Sequence, residues 1–293
     1  MLEPTLHLAH ETGSEEPTLY VVATPIGNLR DVSLRALEVL KAVDAVAAED
    51  TRVTGKLLAH YGIAAKLTPL HQHNERQAAK RLLALLAEGK SAALVSDAGT
   101  PGISDPGALV VAEVRAAGYR VVPIPGASAL LAALAASGIA APHFLFYGFL
   151  PQQAGARRRA LEEIKTLPYT LAFYEAPHRI AASLADMAEV LGEARNVVIA
   201  RELTKLFEAL HVCKLGVAVE WLQQDANRMK GEFVLLVSGA EVTQDAALEA
   251  GRRTLEILLA ELPLKQAVKL AAEISGAKKN ALYEMALAMT KNE

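Results

Sequence analysis

One cysteine, Cys213, stands in the 293 residues, which excludes an intrachain disulfide and any multi-cysteine zinc or iron–sulfur site. A reducing cytoplasm is the expected compartment. Aromatic residues are only 5% of the chain, so a base-stacking platform for nucleic acid is not expected. No stretch supplies eighteen apolar residues without polar interruption, and the first seventeen residues lack both a basic start and an unbroken apolar run. Neither a membrane span nor a secretory leader is expected, and residues 1–17 read as a loose tail. No lysine follows a glycine-rich stretch as a phosphate-binding P-loop requires, which disfavours a nucleotidase. Excess charge of either sign is also missing. With a net charge of -3, any nucleic-acid partner has to be met by a local basic patch.

What is present is a hydrophobic content of 52% over a length sufficient for two cores. From Thr18, short apolar runs alternate with helical stretches: LYVVA, DAVAAE, KLTPL, SAALVSD and RVVPIPG are the runs of a first block. HFLFYGFL, TLAFYE, NVVIAREL and GEFVLLVSG make a second. This alternation predicts an α/β class with two sheets, one in each of two domains, 18–126 and 127–240. Asn74 followed by Gln77 reads as an N-cap pair opening a helix over 74–88. After Gly239 the strand character ends, and Leu255 to Met289 reads as three helices broken at Pro263 and at Ser275-Gly276. These belong to a small helical domain over 245–293, with the outline of a helix-turn-helix or of a plain helical hairpin.

Three turns concentrate glycine, proline and small residues at the ends of runs. TPIGN (Thr24 to Asn28) follows the first strand, SDAGTPGISDPG (Ser96 to Gly107) follows the fourth, and PGASAL (Pro125 to Leu130) joins the two blocks. Ligands in open α/β sheets bind at the carboxyl ends of strands, where such turns bring backbone N–H groups close to them. The plainer reading is that these are helix-capping connectors, and Ser128 can cap a helix while touching a ligand.

Taken in order, TPIGNLRD, AAEDTR, HQHNE, SDAGTPGISDPG, PGASA, FYGFLP, FYEAPHRI, ARELTK and GEFVL resemble ribosomal RNA small subunit methyltransferase I, a family of the tetrapyrrole methylase superfamily. The resemblance implies two α/β domains enclosing S-adenosyl-L-methionine in the cleft between them, usually in a homodimer. Carried over motif by motif, it implies a cofactor site made by Pro25, Asp97, Gly99, Thr100, Ile103, Ser104, Ser128, Ala129, Tyr174 and Arg201. One departure is that Gly99-Thr100-Pro101 stands where the wider superfamily often has Gly-Asp-Pro, with Asp97 as the nearest acidic substitute. It further implies 2′-O-methylation of a cytidine in 16S ribosomal RNA near the decoding site, on free rRNA or the assembled small subunit.

Methyl transfer needs in-line alignment and no metal, and a ribose hydroxyl benefits from a base. Glu49, Asp50 and His73 are the candidate bases, from two polar clusters that follow the second and third strands. Arg52 and Asn74 from the same clusters, Arg157 and Arg158 after the flexible QQAGA stretch, Lys205, and Lys278 and Lys279 near the end are the candidate RNA contacts. Each has a plainer rival: Asp50 with Arg52 as an ion pair, Arg201, Glu202, Lys205 and Glu175 as a structural network, and the basic runs as solvated faces. Two other functions fit less of the chain. A tetrapyrrole-ring methylase keeps the cofactor but leaves the EDTR and HNE clusters and the terminal helices unexplained. A ligand-sensing DNA-binding regulator requires more strongly basic terminal helices.

Overall fold

In the computed structural model residues 16–140, 142–241 and 244–290 are described, so the expected tail over 1–17 lies outside the described residues except for Glu16 and Pro17. The chain forms two compact units, one running to Lys165 and resuming over Tyr169–Ser238, the other made of Thr166–Pro168 and the chain from Gly239.

Within the first unit, β1 (Thr18–Val22), β2 (Ala45–Ala48), β3 (Leu67–Pro69), β4 (Ala92–Val95) and β5 (Arg120–Ile124) form a sheet in the order β3-β2-β4-β1-β5. Every pairing in it is parallel. Parallel strands need crossovers, supplied by α1 (Leu34–Ala42), α2 (Thr51–His60), α3 (Glu75–Ala87) and α4 (Ala108–Ala116). Helices on both faces explain why β2 (AVAA) and β4 (AALV) are buried at every position, without polar alternation. One face packs on Val39, Leu40 and Leu58, the other on Leu82, Leu86, Val110 and Val114.

A second sheet in the same unit has the order β6-β7-β10-β8-β9. Its elements are α5 (Ala129–Ala136), β6 (Phe144–Phe149), α6 (Ala154–Ile164), β7 (Thr170–Glu175), α7 (Ile180–Leu191), β8 (Asn196–Arg201), β9 (Ala209–Lys214), α8 (Leu215–Gln223) and β10 (Phe233–Val237). Only β6 and β7 pair in parallel; β10 runs antiparallel to both β7 and β8, and β9 antiparallel to β8. A register shift between Phe146 and Gly148 bends β6, and Gly148, at φ 81, leaves room for the Ser104 hydroxyl.

The α/β class with two sheets agrees with the sequence reading. Three elements went unread: α2, whose first turn was taken as part of a polar cluster, and the β9–α8 pair. The helix after the third strand begins as expected, but its cap differs. Asn74 makes no side-chain bond to the helix; its amide accepts from the His71 N–H at 2.8 Å and donates to the Pro69 carbonyl at 3.2 Å, pinning the preceding turn instead.

The second unit contains α9 (Gln244–Leu259), α10 (Leu264–Ser275) and α11 (Lys279–Thr290) around Leu255, Val268, Ala271 and Leu282. The breaks fall at Pro263 and Gly276 as the sequence indicates, and the first helix starts earlier, at Gln244. Gly276 ends α10 in the left-handed conformation, φ 69, its N–H bonded to the Ala272 carbonyl.

Candidate functional site

The turns after β1 and β4 are locked together because those strands are neighbours in the sheet. Thr24 and Gly99 exchange both backbone bonds, N–H to carbonyl at 2.9 and 3.0 Å, and the Thr24 hydroxyl donates to the Ser96 carbonyl at 3.1 Å. Such a bridge fixes a loop that would otherwise be free to move. Gly99 (φ 82) and Ser104 (φ 64) both lie in the left-handed region, which costs a side-chain-bearing residue such as Ser104 about 1 kcal/mol or more. The far end is tied by Glu75, whose carboxylate accepts from the Gly107 N–H at 2.9 Å. Glu75 belongs to the HQHNE run, so that run supports the glycine-rich loop from beneath, a role its sequence did not disclose.

This loop walls a cavity of ≈ 370 Å³, within the range typical of small-ligand sites. Asp97, Gly99, Thr100, Ile103, Ser104, Ser128, Ala129 and Tyr174 all line it, eight of the ten residues expected for the cofactor. Ser128 also caps α5, accepting from the Leu131 N–H at 3.5 Å, so one hydroxyl sets both the helix start and the cavity wall. Burial raises the Tyr174 phenol above its ordinary value despite hydrogen bonds from Leu130 and Ser128.

The other two expected residues lie elsewhere. Pro25 lines an adjoining cavity of ≈ 430 Å³. Arg201 lines neither: neighbours in a strand point to opposite faces, and in β8 Ala200 takes the cavity side. The Arg201 guanidinium instead donates to the carbonyls of Asn227 (3.2 Å), Lys230 (3.3 Å) and Phe207 (3.1 Å), holding the loops around it.

Three carboxyl groups influence one another at the first cavity. Burial pushes Glu49 up, and the charge of Asp97 adds to the effect. Asp105 is pushed up to about 6, first by burial, then by the charge of Glu49, against a hydrogen bond from Ser96. Asp105, in the Ser-Asp-Pro-Gly end of the loop before α4, is not among the site residues that the sequence indicates. Of the candidate bases, Glu49 alone lines the cavity. Asp50 caps α2 by accepting from the Arg52 N–H at 2.8 Å, and its N–H donates to Asp97 at 2.9 Å. The Arg52 guanidinium holds the Asp50 carboxyl down at about 2. His73 is exposed in the turn before α3 and lines neither cavity.

The expected RNA contacts are dispersed. Arg157 is 4% exposed, and its guanidinium bonds to Asp186 at 2.6 Å and to the Gln152 carbonyl at 3.0 Å, so its charge faces inward rather than toward a phosphate. Arg158 pairs with the same carboxylate at 2.7 Å and remains half-exposed. Arg52 is exposed beside Asp50, and Asn74 is taken up by its turn. Lys205 lines the second cavity in ion pairs with Glu202 (2.8 Å) and Glu232 (3.0 Å). In the helical unit, Lys278 and Lys279 are exposed at the start of α11.

Comparison with known proteins matches residues 18–218 to the family described as Tetrapyrrole (Corrin/Porphyrin) Methylases, and residues 245–290 to the RsmI C-terminal HTH domain. The chain is 55% identical over 269 residues to ribosomal RNA small subunit methyltransferase I of Escherichia coli O157:H7, covering 92% of this chain and 94% of that one. It is 53% identical to the protein of the same name from Vibrio cholerae, again over 92% and 94% of the two chains. The crystal structure of uroporphyrin-III C-methyl transferase from Thermus thermophilus complexed with S-adenyl homocysteine shares the fold at a TM-score of 0.54. Its identity is 16%, with 75% of this chain and 97% of that one covered.

Proposed function

The chain belongs to the tetrapyrrole methylases and, among them, to the family of ribosomal RNA small subunit methyltransferase I; on that premise we propose that it transfers a methyl group from S-adenosyl-L-methionine to the ribose 2′-hydroxyl of a cytidine in 16S rRNA near the decoding site. The observation that carries the cofactor assignment is the glycine-rich cradle with its acidic wall. Gly99, held in the left-handed region, exposes backbone to the cavity, and Glu49, Asp97 and Asp105 surround it with negative potential suited to a cation. S-adenosyl-L-methionine bound there supplies a methyl group on a positively charged sulfur.

Gly99, Thr100, Ile103 and Ser104 on one side, and Ser128, Ala129 and Tyr174 on the other, orient the cofactor. Glu49 and Asp105, both raised toward neutrality, are the groups suited to take the hydroxyl proton, because an acceptor works best with a pKa nearer the working pH. With the methyl supplied by the bound cofactor, the hydroxyl proton would pass to a carboxylate of this acidic wall. The apolar side chains of Ile26, Phe149 and Leu203 keep water away from that exchange. The reading includes a homodimer acting in the cytoplasm on free rRNA or the assembled small subunit; among the described residues no helix is long and apolar enough to cross a membrane.

The test is incubation of the protein with labelled S-adenosyl-L-methionine and small ribosomal subunits from cells lacking the gene, followed by nucleoside mass spectrometry. The expected product is 2′-O-methylcytidine. A methylated base, or a different nucleoside, would overturn the acceptor assignment.

A further inference from the structure

Beside the cofactor cavity lies the second one, of ≈ 430 Å³, and the two share a wall of Ile26, Asp97, Ala98 and Glu232. In-line transfer requires donor and acceptor to approach the moving methyl from opposite sides. Two chambers with a common wall provide that arrangement, and their linings differ in chemistry. The first has the glycine-rich loop and five acidic residues, Glu49, Asp97, Asp105, Glu175 and Glu232. The second has two lysines, Lys56 from α2 and Lys205 from the loop after β8, together with the Thr54 hydroxyl and the apolar Leu29 and Val53.

We propose that the second cavity receives the acceptor nucleotide of the RNA, with its phosphate on Lys56 and Lys205 and its ribose at the shared wall, where Asp97 stands within electrostatic reach of Glu49 and Asp105. The proposal rests on the methyltransferase reading above and names where its acceptor sits. Lys56 is exposed on α2 and makes no ion pair among the described residues, so its charge is available to an incoming anion. Lys205 is held by an inner partner, Glu202, and an outer one, Glu232, whose side chains are 18% and 76% exposed. A phosphate replaces the outer partner and leaves the inner one in place. An ion pair to so exposed a carboxylate contributes little in water, so Glu232 gives way at small cost to an incoming phosphate.

The experiment uses the whole protein and undermethylated small ribosomal subunits, and reads three quantities: KM for the subunits, their affinity measured without cofactor across a salt series, and the affinity for S-adenosyl-L-methionine. For Lys56→Gln, KM is expected to rise on the order of 10-fold, as for loss of a hydrogen bond to a charged group. The slope of log affinity against log salt is expected to become shallower by about 0.7, the value for one phosphate contact on a single strand. Cofactor affinity stays at the wild-type value, and Lys56→Arg restores the salt slope. Because Lys56 is exposed, the fold tolerates the change; Leu29→Trp, narrowing the same cavity from another element, is expected to raise KM likewise. An unchanged KM and slope in a protein that methylates normally would remove the subsite while leaving the methyltransferase reading intact. Loss of cofactor affinity alongside would assign the cavity to the cofactor and overturn the proposal as well. If wild-type protein methylates no RNA, the underlying reading fails and the subsite with it.

Discussion

Gly27 and Lys205 are in contact across the first unit: a methyl group added at position 27 would stand 2.4 Å from Cγ of Lys205 and 2.8 Å from Cε. The glycine of the TPIGN turn is therefore what lets a lysine from the loop after β8 lie over it and reach the second cavity. The near atom is low on the stem, so the side chain has to be displaced rather than merely bent at its tip.

Gly27→Ala is expected to push Lys205 out of its pairs with Glu202 and Glu232. Overpacking of this kind costs about 1–3 kcal/mol of stability; kcat/KM for RNA is expected to fall on the order of 10-fold, as for loss of one hydrogen bond to a charged group, with cofactor affinity retained. Steady-state kinetics with calorimetry on the same preparation checks it. Activity equal to wild type would show that the position of Lys205 is irrelevant to the RNA.

Asp105 gives the protein a dependence on mild acid. Its pKa is raised from 3.8 to about 6, so the folded state holds a proton there that the unfolded chain has already released. Its contribution to stability is therefore greatest below 3.8, falls as pH rises through about 6 and is level above that. Cation binding has the opposite sense, since it favours the ionised carboxyl. Affinity for S-adenosyl-L-methionine is expected to strengthen between about pH 5 and about pH 7, and Asp105→Asn to flatten the curve. Isothermal titration at several pH values measures this. A variant curve parallel to wild type would mean that Asp105 does not face the cofactor.

The Arg157–Asp186 pair joins α6 to α7. Both side chains are almost fully buried, at 5% and 6% exposure, so Arg157→Leu leaves a buried carboxylate with only Arg158 at its edge. Breaking a buried pair from one side costs about 3–5 kcal/mol, whereas removing both charges costs far less. Thermal unfolding of Arg157→Leu and of the double replacement with Asp186→Leu should show a deep loss and a substantial recovery. Affinity of the folded single variant for RNA is expected to match wild type; a reduced affinity would return Arg157 to the RNA surface.

Much of the scaffold was legible because its signals are local. Runs such as AVAA and AALV announce strands covered on both faces, and glycine and proline mark the turns at their ends. Elements with weak local signals were not. The helix α2 opens on Thr51 and carries Gly55 in its interior, both poor helix formers, and β9, at the sheet edge, has no fully buried position.

By itself the sequence determined an α/β chain with two sheets, a helical end, and glycine- and proline-rich turns at the carboxyl ends of β1 and β4, because propensity, periodicity and turn chemistry act over a few residues. Only the tertiary structure decided which charges meet the site. Ala200 rather than Arg201 faces the cavity, Arg157 turns inward to Asp186, Asp105 joins Glu49 and Asp97, and Lys205 lies over Gly27. Those outcomes depend on which face of a strand packs inward and on what stands opposite each charge. Both are fixed by packing between segments far apart in the chain, where a charged residue's own neighbours in sequence carry no information about its partner.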